Sequence, residues 1–153
     1  VHKLSVPRAA YDKSAAKYAI VGVMIEEWEE EGPPNQLISK LWEKLPKSKD
    51  DEASLITGPG LDFNDLLPPE GERSFFRYLG SLTTPPCTEN VLWSVMEKPI
   101  KCSKEQIEAF TKLYKDNYRP VQEVNQRTIL RYTDGQPSST APATSLVAPG
   151  GTQ

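Results

Sequence analysis

Gly80-Ser81-Leu82-Thr83-Thr84-Pro85-Pro86-Cys87-Thr88-Glu89-Asn90-Val91-Leu92-Trp93 lies between two segments that suit β-strands. Ser74 to Ser81 is aromatic-rich and fits an extended chain. Asn90 to Met96 is mostly apolar, as a strand buried on both faces requires. Between them, Pro85 and Pro86 fix φ and remove two backbone donors, so ladder pairing must break there. The residue before a proline is steered away from helix, so Thr84 is expected to be extended. The hydroxyls of Thr83 and Thr84 are therefore expected on a stiffened connection at the mouth of a sheet. A Thr-Pro pair by itself is only turn punctuation; the information lies in the fourteen residues together.

The flanking sequence predicts two helices. Pro33 to Leu45 is amphipathic, with Leu37, Ile38, Leu41, Trp42 and Leu45 on one face, Asn35 as N-cap and Pro46 as stop. Lys104 to Lys115 follows a Ser103/Gln106 capping box and turns Ile107, Phe110, Leu113 and Tyr114 inward. Lys47 to Gly60 reads as a polar loop. From Asp134 onward the chain is rich in Pro, Ser, Thr and Gly and offers little to bury, so residues 134–153 read as a disordered tail to a domain spanning 1–133. The acidic run Glu26-Glu27-Trp28-Glu29-Glu30-Glu31 reads as a solvated exit from a strand.

The fourteen-residue segment resembles the α-class carbonic anhydrases. Further matches extend the resemblance over residues 1–132: Lys17 to Ile25 with its central glycine, Leu66-Leu67-Pro68, Ser103-Lys104-Glu105-Gln106, Asp116 to Gln122, and Asn125-Gln126-Arg127. The implied fold is mainly β with peripheral helices, an α+β arrangement around a twisted, mixed and largely antiparallel sheet, here incomplete. The implied activity is zinc-dependent hydration of CO2 to bicarbonate and a proton. By resemblance, Thr83 is the catalytic threonine that accepts a hydrogen bond from zinc-bound hydroxide and passes its own proton to a buried glutamate. A hydroxyl has one donor and two acceptor lone pairs, so it can serve both partners at once. Thr84 corresponds to the residue that contacts bicarbonate. Leu82, Val91, Trp93 and Ile20 correspond to the apolar wall and floor of the CO2 pocket, and a nonpolar gas needs such a wall rather than hydrogen bonds. In isolation, Leu82, Val91 and Trp93 read better as ordinary core.

The family's zinc is held by three histidines, in a His-x-His pair and a Glu-x-His-x-Val-His segment, with the fourth position open. This chain has one histidine, His2. Val1-His2 aligns with the end of the second segment, which places Val1 in the pocket lining and makes His2 a supporting residue rather than a ligand. No Asp, Glu or Cys cluster has metal-ligand spacing. The expectation is that this chain binds no metal alone, and that the zinc ligands, the proton-accepting glutamate and the histidine shuttle lie on a missing N-terminal half. A second reading stays open: a zinc-free carbonic-anhydrase-like binding or matrix module.

Composition narrows the partners. With 18 Lys and Arg against 21 Asp and Glu the net charge is -3, and the pI near 5.3 argues against nucleic acid as a main partner. An apolar content of 37% and a mean hydropathy of -0.53 suit part of a domain, and no apolar run reaches membrane-span length. In secreted and membrane-bound members of the family, a cysteine after Thr-Thr-Pro-Pro pairs with one near the domain's N-terminus. Cys87 stands there, which suggests a secreted or otherwise oxidising location and a partner thiol outside this chain, against the alternative of a free buried cysteine. Cys102 is expected to be free.

Overall fold

A computed structural model describes residues 16–28, 30, 32–46, 48, 51 and 62–133, and the backbone of 136–140. Val1 and His2 lie outside these residues. The described residues form two compact units, one from those within segments 1–22, 71–97 and 119–153, the other from those within 23–70 and 98–118.

The first unit is a five-stranded sheet. Its strands are β1 (Tyr18–Gly22), β3 (Phe75–Ser81), β4 (Glu89–Met96), β6 (Leu130–Thr133) and β7 (Gln136–Thr140), in the spatial order β1-β4-β3-β6-β7. β1 runs parallel to β4, and the other three pairings are antiparallel. This is the mixed, largely antiparallel sheet that the sequence implies. Val91, Met96, Ile129 and Leu130 are its buried apolar residues. Phe75 on β3 and Tyr132 on β6 are register partners whose rings stack at 4.8 Å. The Arg77 guanidinium lies 4.8 Å from the first ring and 5.0 Å from the second, a cation–π arrangement.

Two expectations change here. Lys17 to Ile25 reads as one internal strand, but the chain leaves the sheet after Gly22 and resumes as β2 (Ile25–Glu27) in the second unit. The sequence also assigns disorder from residue 134, whereas Gln136–Thr140 forms β7 on β6, with Pro137 opposite Tyr132 at the sheet edge. That ladder is made by backbone groups, and an edge strand tolerates proline, so a polar Pro/Ser/Thr composition did not reveal it. The remainder of the assigned tail, 141–153, lies outside the described residues.

The second unit pairs β2 in parallel with β5 (Ile100–Cys102) and adds α1 (Gln36–Trp42) and α2 (Lys104–Leu113). Glu26 and Lys101 face each other across the strand pair with an ion pair of 2.6 Å. Asn35 caps α1, its side chain accepting from the Ile38 N–H. The helix closes at Trp42 rather than at Pro46, through i→i−3 bonds from Lys44 to Leu41 and from Leu45 to Trp42 that tighten the end. α2 opens on the expected capping box and ends two residues early, at Leu113, where Tyr114 turns extended. Leu37 and Ile38 are buried, and Trp42 stacks on Phe110 at 5.7 Å.

Gln106 ties these helices together. Its Oε1 accepts from the Ser103 N–H at 3.2 Å and the Asn35 N–H at 2.9 Å. Its Nε2 donates to the Asn35 carbonyl at 2.8 Å and to the Ser39 hydroxyl at 2.9 Å. Both lone pairs and both N–H groups of the amide are thus used. The Gln106 backbone carbonyl also accepts from the Trp42 indole at 2.7 Å. Gln106→Leu keeps the volume and strands four polar partners in a buried setting, so it is expected to destabilise by about 2–4 kcal/mol. Urea unfolding is expected to show a lower midpoint at unchanged slope; a midpoint equal to the parent protein's would contradict this role for the amide.

Candidate active site

β3 ends one residue before the Leu82-Thr83-Thr84 connection, and the ladder is irregular at that end. Gly80 pairs with Val91 and Ser81 with Glu89, so Asn90 is the extra residue of a bulge. Asn90 adopts φ 64°, in the left-handed region that asparagine tolerates best after glycine. Cys87 also has positive φ, at 55°, and the Pro85-Pro86 peptide is cis.

Hydrogen bonds hold the backbone on either side of the two threonines. The Ser81 carbonyl accepts from the Trp93 indole at 2.9 Å. The Leu82 N–H donates to the Thr88 carbonyl at 2.9 Å, and the Cys87 N–H closes the turn onto the Thr84 carbonyl at 2.8 Å. The Leu82 carbonyl accepts from the Ser81 hydroxyl at 3.1 Å, and that hydroxyl in turn accepts from Arg119 Nη1 at 2.7 Å. Position 80 is close-packed: a Cβ there would stand 3.1 Å from Trp93 Cδ1 and 3.1 Å from Tyr78 Cε2, so a side chain would require these rings to give way slightly. Glycine thus lets the indole lie close enough to reach the Ser81 carbonyl.

Arg127 fastens the next segment to the same strand. Its Nη1 donates to the Leu79 carbonyl at 3.3 Å, its Nη2 to Glu123 at 2.8 Å and its Nε to Val124 at 2.9 Å. Its guanidinium lies 5.8 Å from the Tyr78 ring centroid. Burial pushes the Tyr78 phenol up, and the Arg127 charge opposes that shift.

Thr83 and Thr84 are exposed, and Leu82 is half-buried at the end of β3. Register sets Ile20 opposite Trp93 and Trp93 opposite Tyr78; two pairs along, Tyr18, Val91 and Gly80 align. These rows are two residues apart, so Ile20, Val91 and Trp93 share one face of the sheet. Val91 is fully buried, while Ile20 and Trp93 are half-buried. The structure therefore brings together the three apolar residues on strands that the sequence assigned to one pocket. Val1 and His2 lie outside the described residues. Cys87 is half-buried with a free thiol; Cys102 is free and buried, and burial pushes its thiol pKa up.

Sequence reasoning missed the tethers. Arg119 and Arg127 stand out only as members of the Asn-x-Arg-Pro-x-Gln…Arg pattern, without a partner legible at that distance. Among the described residues no group of three or more His, Cys, Asp or Glu side chains is placed to hold a metal ion. No helix among them is long and apolar enough to cross a membrane.

Comparison with known proteins gives one consistent result. The model of the eukaryotic-type carbonic anhydrase family matches residues 3–133. A carbonic anhydrase from Nostoc sp. is 37% identical over 112 residues, which is 73% of this chain and 40% of that protein. Among solved structures, the Chlamydomonas reinhardtii carbonic anhydrase Cah3, in complex with acetazolamide, superposes with a TM-score of 0.63 at 34% identity, over 74% of this chain and 50% of its own. Dioscorin complexed with ascorbate superposes with a TM-score of 0.57 at 26% identity, over 79% and 49%. The chain thus spans about half the length of the relatives it matches or less. By the family match and the shared fold, this chain belongs to the eukaryotic-type, or α-class, carbonic anhydrase family.

Proposed function

We propose that this chain is the C-terminal portion of a zinc-dependent carbonic anhydrase that interconverts CO2 and bicarbonate with release of a proton. The observation that carries this reading is the Leu82-Thr83-Thr84 connection: two exposed threonines on a backbone tethered at the Ser81, Leu82 and Thr84 carbonyls and the Leu82 amide, next to a strand face bearing Ile20, Val91 and Trp93. A tethered backbone matters because it sets where both side chains start, and an acceptor or donor that must first be ordered loses part of its worth in the transition state.

The described residues do not fit a zinc site, so the metal belongs to residues outside them, in a missing N-terminal half on the same or a separate chain. The work assigned to this chain is positional. Thr83 offers one donor and two acceptor positions to orient the attacking oxygen. Thr84 offers a second hydroxyl to the bicarbonate oxygens. Leu82, Val91, Trp93 and Ile20 keep water from the space taken by CO2, and Val1 extends that lining, with His2 supporting it. Cys87, half-buried at the end of the connection, is proposed to pair with a thiol outside this chain, in a secreted or similarly oxidising setting.

Support for a missing partner comes from β1. It is a parallel strand, yet among the described residues it lies at the sheet edge, with Tyr18 52% and Val21 61% exposed. Parallel strands are ordinarily covered on both sides, and an open apolar edge invites pairing. The likeness to dioscorin, solved with ascorbate, supports a second reading in which the scaffold serves as a binding module; in that reading it carries no zinc and no catalysis.

Two outcomes test the enzymatic reading. In the complete protein, Thr83→Ala is expected to lower CO2 hydration about 100-fold through loss of an oriented hydrogen bond; stopped-flow turnover near that of the parent would remove Thr83 from the mechanism. The 153-residue chain alone is expected to show no hydratase or esterase activity above buffer, with or without added zinc. Turnover accompanied by stoichiometric metal would overturn the placement of the ligands outside it.

A further inference from the structure

We infer that Arg119 is a positioning residue for the Thr83–Thr84 connection, acting through the Ser81 hydroxyl; the functional part of this inference rests on the reading of Thr83 given above. Arg119 Nη1 lies 2.7 Å from Ser81 Oγ, a short charge-assisted bond. The same Oγ donates to the Leu82 carbonyl at 3.1 Å. That carbonyl belongs to the peptide whose nitrogen is Thr83's, so the chain of contacts runs from a guanidinium to a hydroxyl to the peptide plane carrying the threonine. A cation on the oxygen of a hydroxyl polarises its O–H and strengthens the bond that it donates onward. Arg119 thus acts on Thr83 at one remove.

The adjoining tethers set off what this one does. The Trp93 indole fixes the peptide before Leu82, and the Thr88 carbonyl holds the Leu82 N–H. The Cys87–Thr84 bond fixes the far side of the pair. The Leu82–Thr83 peptide is held at its carbonyl by the Ser81 hydroxyl. Arg119 is half-buried and reaches Ser81 from 38 residues away, at the start of the irregular segment 119–129. That segment is itself fixed to β3 by Arg127 at Leu79. The two arginines divide the work: Arg127 binds backbone carbonyls and docks the segment, and Arg119 spends its contact on one hydroxyl beside the threonines.

The test is amide hydrogen exchange by NMR on the complete native protein that carries this chain. The reporters are the Leu82 and Cys87 N–H groups, whose acceptors flank the threonine pair; the controls are ladder amides of the β3–β4 pair, from Phe76 and Val95. Arg119→Ala is expected to speed exchange at Leu82 and Cys87 about tenfold, the loss of a charge-assisted bond, with the control amides unchanged. Ser81→Ala is expected to give the same local pattern, and the double variant no more than either alone. Arg119→Lys, which keeps a cation within reach, is expected to restore most of the protection. Should Arg119→Ala fail to fold, the Ser81→Ala and Arg119→Lys results decide the matter. Unchanged exchange at Leu82 and Cys87 would overturn the inference. So would equal acceleration at reporters and controls, which marks a strut for the whole sheet, or additive effects in the double variant. None of these readouts depends on CO2 chemistry, so they stand apart from the Thr83→Ala turnover result.

Discussion

The bond from the Trp93 indole to the Ser81 carbonyl is the contact on which the rest of the first unit turns. It joins β4 to the last residue of β3 at the point where their register slips, and it exists because Gly80 leaves room for the ring. With that carbonyl fixed, the chain enters the Leu82-Thr83-Thr84 stretch at a set angle. The two prolines and the turn closed by Cys87 then return it to β4. The backbone of such a stretch has little freedom to lose when it meets a ligand, which is the physical content of preorganisation. The positive φ values of Asn90 and Cys87 are local strain carried by this geometry.

The second unit uses a different device. A single buried amide, Gln106, serves the N-terminus of its own helix and the N-terminus of α1 together. The cap of one helix is thereby also the cross-brace between two. A buried polar network of this kind is favourable because every member is satisfied; an unmet partner would reverse the sign. Surface ion pairs such as Lys112–Glu108 contribute far less, since both groups stay largely in water.

How much of this was legible in the sequence follows from how local each signal is. The Ser103/Gln106 box and the Asn35 cap act within three residues, and both were readable. The tie from Gln106 back to Asn35 spans 71 residues and was not. The strands on either side of the Thr-Thr-Pro-Pro motif were readable from their aromatic and apolar content, but the bulge at Asn90 was not, because asparagine is common in ordinary turns. The strand β7 was missed because backbone pairing leaves little mark on a polar edge sequence. Among the site residues, the shared face of Ile20, Val91 and Trp93 came from family resemblance, and strand register then gave it geometry. Arg119 and Arg127 remained silent until the fold brought them to β3.

The central claim is that this tethered pair of hydroxyls was shaped for a metal centre whose ligands lie on sequence outside the described residues. Zinc content and intact mass, measured together on the native protein, test it most directly. The account predicts about one equivalent of zinc in a protein substantially larger than this chain, with the metal retained through purification. Native protein of that size with no bound zinc, and none taken up on dialysis against it, would contradict the account and leave the scaffold as a binding module.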